Sequence, residues 1–334
     1  MLIPDAVHVW RDAGGDYHLE WDTEQADQAV VVEPVLEVAH DVEHYPDRRA
    51  KVSGLPHGKR HYFRLRDEHG NEVVATERKL GMEGTPNFRD FGGYRNAAGQ
   101  QVKWGYLYRS GQLSALTDRD LDLLGSLDLD VVFDFRRVEE QESDPSRMPA
   151  QGAPRISSLP IIPGSNSRFF EEAEQQGGGQ LEFGREAMFA FMREINRDFV
   201  EGQQATYARM FHEILETEDA RFLVHCAAGK DRTGFAAAMM LLALGVPRDV
   251  VMRDYMLTSR FFLPEREIER LKAKYDMAHM DSSAVRPMLE VHEDYLEMAL
   301  LSIDEQFGSV ETYLESALGV GNAEMAELRR RYLV

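Results

Sequence analysis

Cys226 and Arg232 stand in the stretch HCAAGKDRTG, residues 225 to 234, with five residues between them. An apolar run, Phe222 to His225, precedes the stretch, and an Ala/Met/Leu-rich segment from about Thr233 to Leu244 follows it, which reads as strand, loop and helix. A loop that enters a helix N-terminus presents backbone N–H groups that converge on an anion, and Gly229 permits the tight curvature such a cradle needs. The donors are expected from Ala227, Ala228, Gly229, Lys230, Asp231 and Arg232. Arg232 adds a planar fork for two phosphoryl oxygens, a geometry that lysine does not match. The positive end of the helix stabilises negative charge on the Cys226 sulfur, which makes it a nucleophile. These residues describe attack on a phosphate ester through a cysteinyl-phosphate intermediate that water hydrolyses, with no metal or other cofactor required. Thr233 can donate a hydroxyl hydrogen bond to the sulfur and help it depart. His225 reads as a brace for the loop, because no second cysteine or HxxxH-type partner stands near it. A lone cysteine is ordinarily an inert core residue. The histidine, the glycine, the Arg-Thr-Gly exit and the strand-to-helix setting outweigh that reading here.

A departing alkoxide or phenoxide needs a proton, usually from a positioned carboxylic acid. Asp231 in the loop has the placement, although Lys230 and Arg232 flank it. Asp134, at the end of the apolar run from Asp130 to Phe135, is the second candidate, unless it holds Arg232 or Arg136 in place. Asp144, after that strand, is a third. Lys230 is read either as a second cation for a multiply phosphorylated substrate, such as a phosphoinositide head group, or as a solvated side chain. Arg109 and Arg136 either reach the pocket rim or form structural ion pairs with acidic neighbours.

The C-x5-R pattern resembles the signature of protein tyrosine and dual-specificity phosphatases. The variant with Lys230-Asp231 before the arginine is similar to the bacterial tyrosine phosphatase group that also dephosphorylates phosphoinositides. NFRDFGGY (87 to 94), GYLYRSGQLSALTDRD (105 to 120), VVFDFRRVEE (131 to 140), GVPRDVVMRDYMLTS (245 to 259) and the tail around YLEMALLSIDEQFGSVETYLESALG are similar to that group in order and spacing. The resemblance spans about residues 82 to 334. It implies a protein tyrosine phosphatase, with phosphoserine, phosphothreonine and phosphoinositides as further substrates. Many related phosphatases carry the general acid on a Trp-Pro-Asp loop; that tripeptide does not occur here, and the resembled group often has Asp at the position of Asp231. The alternative reading is a phosphate-binding pseudophosphatase or docking protein, against which the intact Cys226 and Arg232 argue.

Such a site needs strands that end at it and a helix that starts from it. After Leu80 helix and strand alternate, with Thr117 as an N-cap and Asp118 and Asp120 at the positive end of its helix. From Pro264 onward the periodicity is helical, in ERLKAKY, VHEDYLEMALLSIDEQFG and AEMAELRRRYL. Residues 1 to 80 instead alternate with period two, and Gly70-Asn71 marks a hairpin turn. GLPHGKRHYFRLRD resembles the late strands of fibronectin type III-like modules. The expected fold class is α/β: a catalytic domain, 81 to 334, with a central, largely parallel sheet flanked by helices, preceded by a small all-β sandwich, 1 to 80, that could take a protein partner. EEAEQQGGGQLEFG, residues 171 to 184, reads as a surface loop or a hinged lid.

The chain has 334 residues and a formal charge of −20, so its field repels nucleic acid and any positive charge for an anionic substrate must be local. One cysteine allows no internal disulfide and suits a reducing compartment. The N-terminal residues lack the features of a secretory signal. The longest apolar run, Phe235 to Val246, has twelve residues, short of the ~20 that span a bilayer. The cytoplasm is the default location, with export without a signal left open.

Overall fold

The computed structural model describes residues 1–3, 6–25, 28–35, 41–45, 47–56, 59–162, 185–265, 267–268 and 282–334. The segment 171 to 184 and the ERLKAKY stretch lie outside the described residues.

The period-two runs at the N-terminus become seven antiparallel strands: β1 (His8–Arg11), β2 (Tyr17–Glu20), β3 (Val30–Pro34), β4 (Asp41–Tyr45), β5 (Arg49–Ser53), β6 (Tyr62–Asp67) and β7 (Glu72–Thr76). They form two sheets, ordered β1-β2-β5-β4 and β3-β6-β7. Alternation sets the faces: β3 buries Val30, Val32 and Pro34 and turns Val31 and Glu33 outward. Tyr17, Leu19, Val52, Phe63 and Leu65 from both sheets share one apolar core. This strand order, with β4 on β5, is that of the seven-stranded constant-type immunoglobulin sandwich.

The second sheet contains β8 (Arg89–Asp90), β9 (Leu107–Ser110), β10 (Val131–Asp134), β11 (Arg155–Ser158) and β12 (Phe222–His225), in the order β11-β10-β12-β9-β8. Its pairs are parallel except β8 with β9. Strands β9, β10 and β12 are buried on both faces, which is why they lack alternation in sequence. Their register aligns Ser110, His225 and Asp134 in one row at the carboxyl ends. In sheets of this kind the loops leaving that edge build the site.

Helices cover the sheet. Asp118–Gly125 starts from the expected Thr117 N-cap, whose side chain accepts from the Asp120 amide while the Asp120 carboxylate accepts from the Thr117 amide. Asp231–Ala243 is buried on nearly every side, as an apolar helix without a polar face must be. The helical tail comprises Ser282–Leu289, Glu293–Phe307, Val310–Leu318 and Asn322–Tyr332. Among the described residues no helix is long and apolar enough to cross a membrane.

The sandwich meets this domain through a buried arginine. Arg60 donates to the Asp90 carboxylate at 2.6 Å, to the Glu77 carbonyl at 2.6 Å and to the Tyr108 hydroxyl at 3.2 Å. Beside it, Arg78 lies over the rings of Tyr94 and Trp104, at 4.1 and 4.6 Å. An ion pair so fully buried loses much of its attraction to desolvation, but removing either partner strands the other.

Candidate active site

Strand β12 delivers Cys226, 3% exposed, to the carboxyl edge of the sheet. The loop that follows turns its carbonyls outward into donors. The Ala227 carbonyl accepts from the Gln112 amide at 3.0 Å. The Gly229 carbonyl accepts from Asn87 Nδ2 at 2.8 Å and Arg109 Nη2 at 3.0 Å. The Lys230 carbonyl accepts from Arg109 Nη2 at 3.3 Å and the Gly234 amide at 2.7 Å. Among the described residues no amide from Ala227 to Lys230 donates to a backbone carbonyl. The first amides of helix Asp231–Ala243 likewise have no acceptor within their helix. The N–H groups of Ala227 to Lys230, in the loop that follows the cysteine, are therefore available to an anion.

Arg232 heads into the same region. Its Nη1 donates to the Glu140 carboxylate at 3.0 Å and the Phe135 carbonyl at 3.2 Å, and the buried Tyr207 hydroxyl donates to its carbonyl at 3.1 Å. Sequence reasoning missed Glu140, although it closes the VVFDFRRVEE stretch. Thr233 is fully buried, and its hydroxyl has no hydrogen-bond partner among the described residues. The expected bond to the Cys226 sulfur is thus not made in this state.

Two of the three candidate acids, Asp231 and Asp134, differ in their surroundings. Asp231 has a partly open carboxylate, 16% exposed, that accepts from the Tyr255 hydroxyl at 3.3 Å and lies 3.5 Å from the Lys230 ammonium. Burial holds the Tyr255 phenol well above its ordinary value, so it stays a donor. Asp134 is buried and accepts from the Arg136 amide at 3.0 Å and from Arg136 Nη2 at 2.7 Å. Arg136 also donates to the Asp144 carbonyl and to Ser146. Arg136 and Arg109 therefore make the structural ion pairs weighed for them, Arg109 with Asp254 at 2.8 Å. Lys230 is not a solvated side chain: it is 1% exposed, and its ammonium donates to the carbonyls of Met288 and Glu290 at 2.7 and 2.6 Å. Burial pushes that ammonium down from its ordinary value.

His225 is fully buried, 3.4 Å from the Asp134 carboxylate at an angle that makes no hydrogen bond. Burial pushes its imidazole down to about 4; Asp134 opposes the shift, and Arg136 and then Arg232 add to it. The ring is therefore neutral when folded, whereas an unfolded histidine titrates near 6.5. Below that pH the unfolded chain binds the extra proton, so this contribution is present above about 6.5 and drains away down to about 4, by roughly 3 kcal/mol. Urea midpoints taken between pH 7 and 4 should fall less steeply in His225→Asn than in the wild type. Parallel slopes would show that His225 is not the group responsible.

A separate cavity of about 760 Å³ between helices Gln204–Glu216, Val310–Leu318 and Asn322–Tyr332 shares no lining residue with the loop.

A model described as the tyrosine phosphatase family matches residues 80–334. The chain is 32% identical over 270 residues to a Cupriavidus necator protein named as a tyrosine-protein phosphatase, covering 78% of this chain and 90% of the relative. It is 28% identical over 274 residues to PtpB of Mycobacterium tuberculosis, named as a triple specificity protein phosphatase, covering 74% and 96%. A tyrosine-protein phosphatase of Nostoc commune is 24% identical over 231 residues, covering 67% and 72%.

Proposed function

Because this chain belongs to the tyrosine phosphatase family, we propose that it hydrolyses phosphotyrosine in proteins with Cys226 as nucleophile, Arg232 and the loop amides as the oxyanion cradle, and Asp231 as general acid. The observation that carries this is the buried cysteine followed by a loop whose carbonyls are bound from outside. The sulfur attacks phosphorus and the P–O bond to tyrosine breaks. Its electron pair leaves on the phenolic oxygen, which takes a proton from Asp231. Water, giving a proton back to Asp231, then cleaves the S–P bond and releases phosphate. Charge that builds on the equatorial oxygens is met by fixed donors, the largest single contribution in such reactions. No step needs a metal, and a chelator is expected to leave the rate unchanged. Asp134 serves this scheme as the partner of Arg136 and neighbour of His225.

Asp231→Asn tests the acid. A general acid matters most when the leaving group is poor, so the variant should hydrolyse phenyl phosphate about 10²-fold more slowly and a good leaving group, such as difluoromethylumbelliferyl phosphate, only a few times more slowly. Equal losses on both would move the proton to another residue.

The name of the PtpB relative, a triple specificity protein phosphatase, supports a specificity broader than phosphotyrosine alone; phosphoserine, phosphothreonine and phosphoinositide esters are the further substrates to test. The engagement of Lys230 with two carbonyls favours protein over phosphoinositide. Rates on a phosphotyrosine peptide, a phosphothreonine peptide and a short-chain phosphoinositide rank them. Two smaller proposals go with this: residues 1–80 form a domain that takes a protein partner, supported by the outward-facing Trp10, and the enzyme works in the cytoplasm, supported by its single cysteine.

A further inference from the structure

A loop that aims its amides at an anion must dispose of the carbonyls on its other side, and each of those needs a donor. Two side chains supply them here. Asn87 reaches the Gly229 carbonyl at 2.8 Å, and Arg109 spans the carbonyls of Gly229 and Lys230 at 3.0 and 3.3 Å. Both are held from behind. Arg89 donates to the Asn87 side-chain oxygen. Asp254 binds Arg109 at 2.8 Å, lies 3.5 Å from Arg89, and accepts from the Tyr94 hydroxyl at 3.0 Å. Asn87, Arg89, Arg109 and Asp254 are all 0 or 1% exposed. The cluster holds two guanidiniums against one carboxylate, and burial followed by the Arg109 charge pushes Arg89 down to about 9. Such crowding of like charge is tolerated where the surrounding structure fixes it, and here what it fixes is the loop.

We propose that Asn87 and Arg109, locked by Arg89 and Asp254, are positioning residues that keep the Gly229 and Lys230 carbonyls turned away from the phosphate so that the loop amides face it. This rests on the phosphatase reading of the same loop. Neither residue touches the substrate; both act through the peptide planes of the loop. The arrangement also ties the sandwich to the site, since Arg60 grips Asp90, the neighbour of Arg89.

Asn87 has φ 63°, a conformation that glycine adopts without strain. Asn87→Gly therefore removes the donor, keeps the backbone and changes no charge. Arg109→Lys keeps the charge and loses the fork. In the full chain, kcat and KM on p-nitrophenyl phosphate, the inhibition constant of vanadate and the melting temperature are measured together, rates being referred to folded enzyme. Each variant is expected to lose at least tenfold in kcat, with KM within threefold, and to bind vanadate weaker by the factor lost in kcat/KM. The double variant should be little worse than the poorer single one, because both act on one loop and share the Gly229 carbonyl. A single variant within twofold of the wild type in kcat and vanadate binding, or a double variant whose losses multiply, overturns the clamp. So does a fall in melting temperature with the kinetics intact, which marks a merely structural role. Cys226→Ser run alongside separates the two ideas. Turnover that survives it defeats the reading of Cys226 as nucleophile, and vanadate binding alone then decides the clamp.

Discussion

Cys226→Ser is expected to lose turnover by roughly four orders of magnitude or more, the scale on which an enzyme without its nucleophile falls. The protein should otherwise stay as it is. A serine oxygen fits where the sulfur sits, so the core around this buried position keeps its packing. The cradle is made of main chain, and its carbonyls remain bound by Gln112, Asn87 and Arg109. Inorganic phosphate should accordingly bind within a few-fold of the wild type while no ester is cleaved. His225, the adjacent residue, is fully buried with the Asp134 carboxylate 3.4 Å away, and a serine hydroxyl is a far weaker nucleophile than a thiolate. Calorimetric titration with phosphate and a progress curve on p-nitrophenyl phosphate, each with and without chelator, check both halves. Activity above about one hundredth of the wild type in Cys226→Ser would show that another group attacks phosphorus. Phosphate binding without turnover in the wild type itself would instead favour the pseudophosphatase.

The strand, loop and helix around Cys226 could be read from sequence because the pattern is local. Cys226, Gly229 and Arg232 lie within seven residues, and a strand before and a helix after them are marked by apolar runs. The Thr117 cap was legible for the same reason, its two hydrogen bonds spanning three residues. What holds the loop was not. Glu140 lies 92 residues from Arg232, Asn87 lies 142 from Gly229, and Asp254 lies 145 from Arg109. Asn87 and Asp254 stood inside stretches that carried the family resemblance, but such a stretch gives a residue a position without giving it a partner. Lys230 shows the converse case. Its place beside the arginine suggested a side chain that faces phosphate or solvent, yet the chain turns there into the helix, and the ammonium passes to carbonyls 58 and 60 residues away. In the sandwich, period two identified strands and faces, while the pairing of β4 with β5 depends on contacts that alternation does not encode.

Gly229→Ala should be the most damaging change that leaves every reacting group in place. A Cβ built on Gly229 would lie 2.4 Å from both the carbonyl carbon and the oxygen of Ser110 and 2.7 Å from the Gly111 amide nitrogen. All three are main chain, and they cannot retreat. Ser110 is in register with His225 on the central sheet, and the Gly111 amide donates to the Pro86 carbonyl at 2.9 Å. Its φ of 66° adds strain of about 1–2 kcal/mol for any residue with a Cβ. The loop can escape only by lifting off β9, which breaks the bonds from Asn87 and Arg109 and frees the Gly229 carbonyl to swing toward the phosphate. Loss of stability on the order of 3 kcal/mol or more and of kcat/KM by about 10²-fold or more should follow together. Gly99→Ala separates strain from contact. Gly99 has φ 83° with nothing within 4 Å of a built Cβ, so its variant should show the backbone strain alone, with the kinetics of the wild type. If Gly229→Ala matched Gly99→Ala in both urea unfolding and kcat/KM, the approach of the loop to β9 would not be what sets the cradle. If it alone lost catalysis, that contact would be the point where the sheet dictates the shape of the loop.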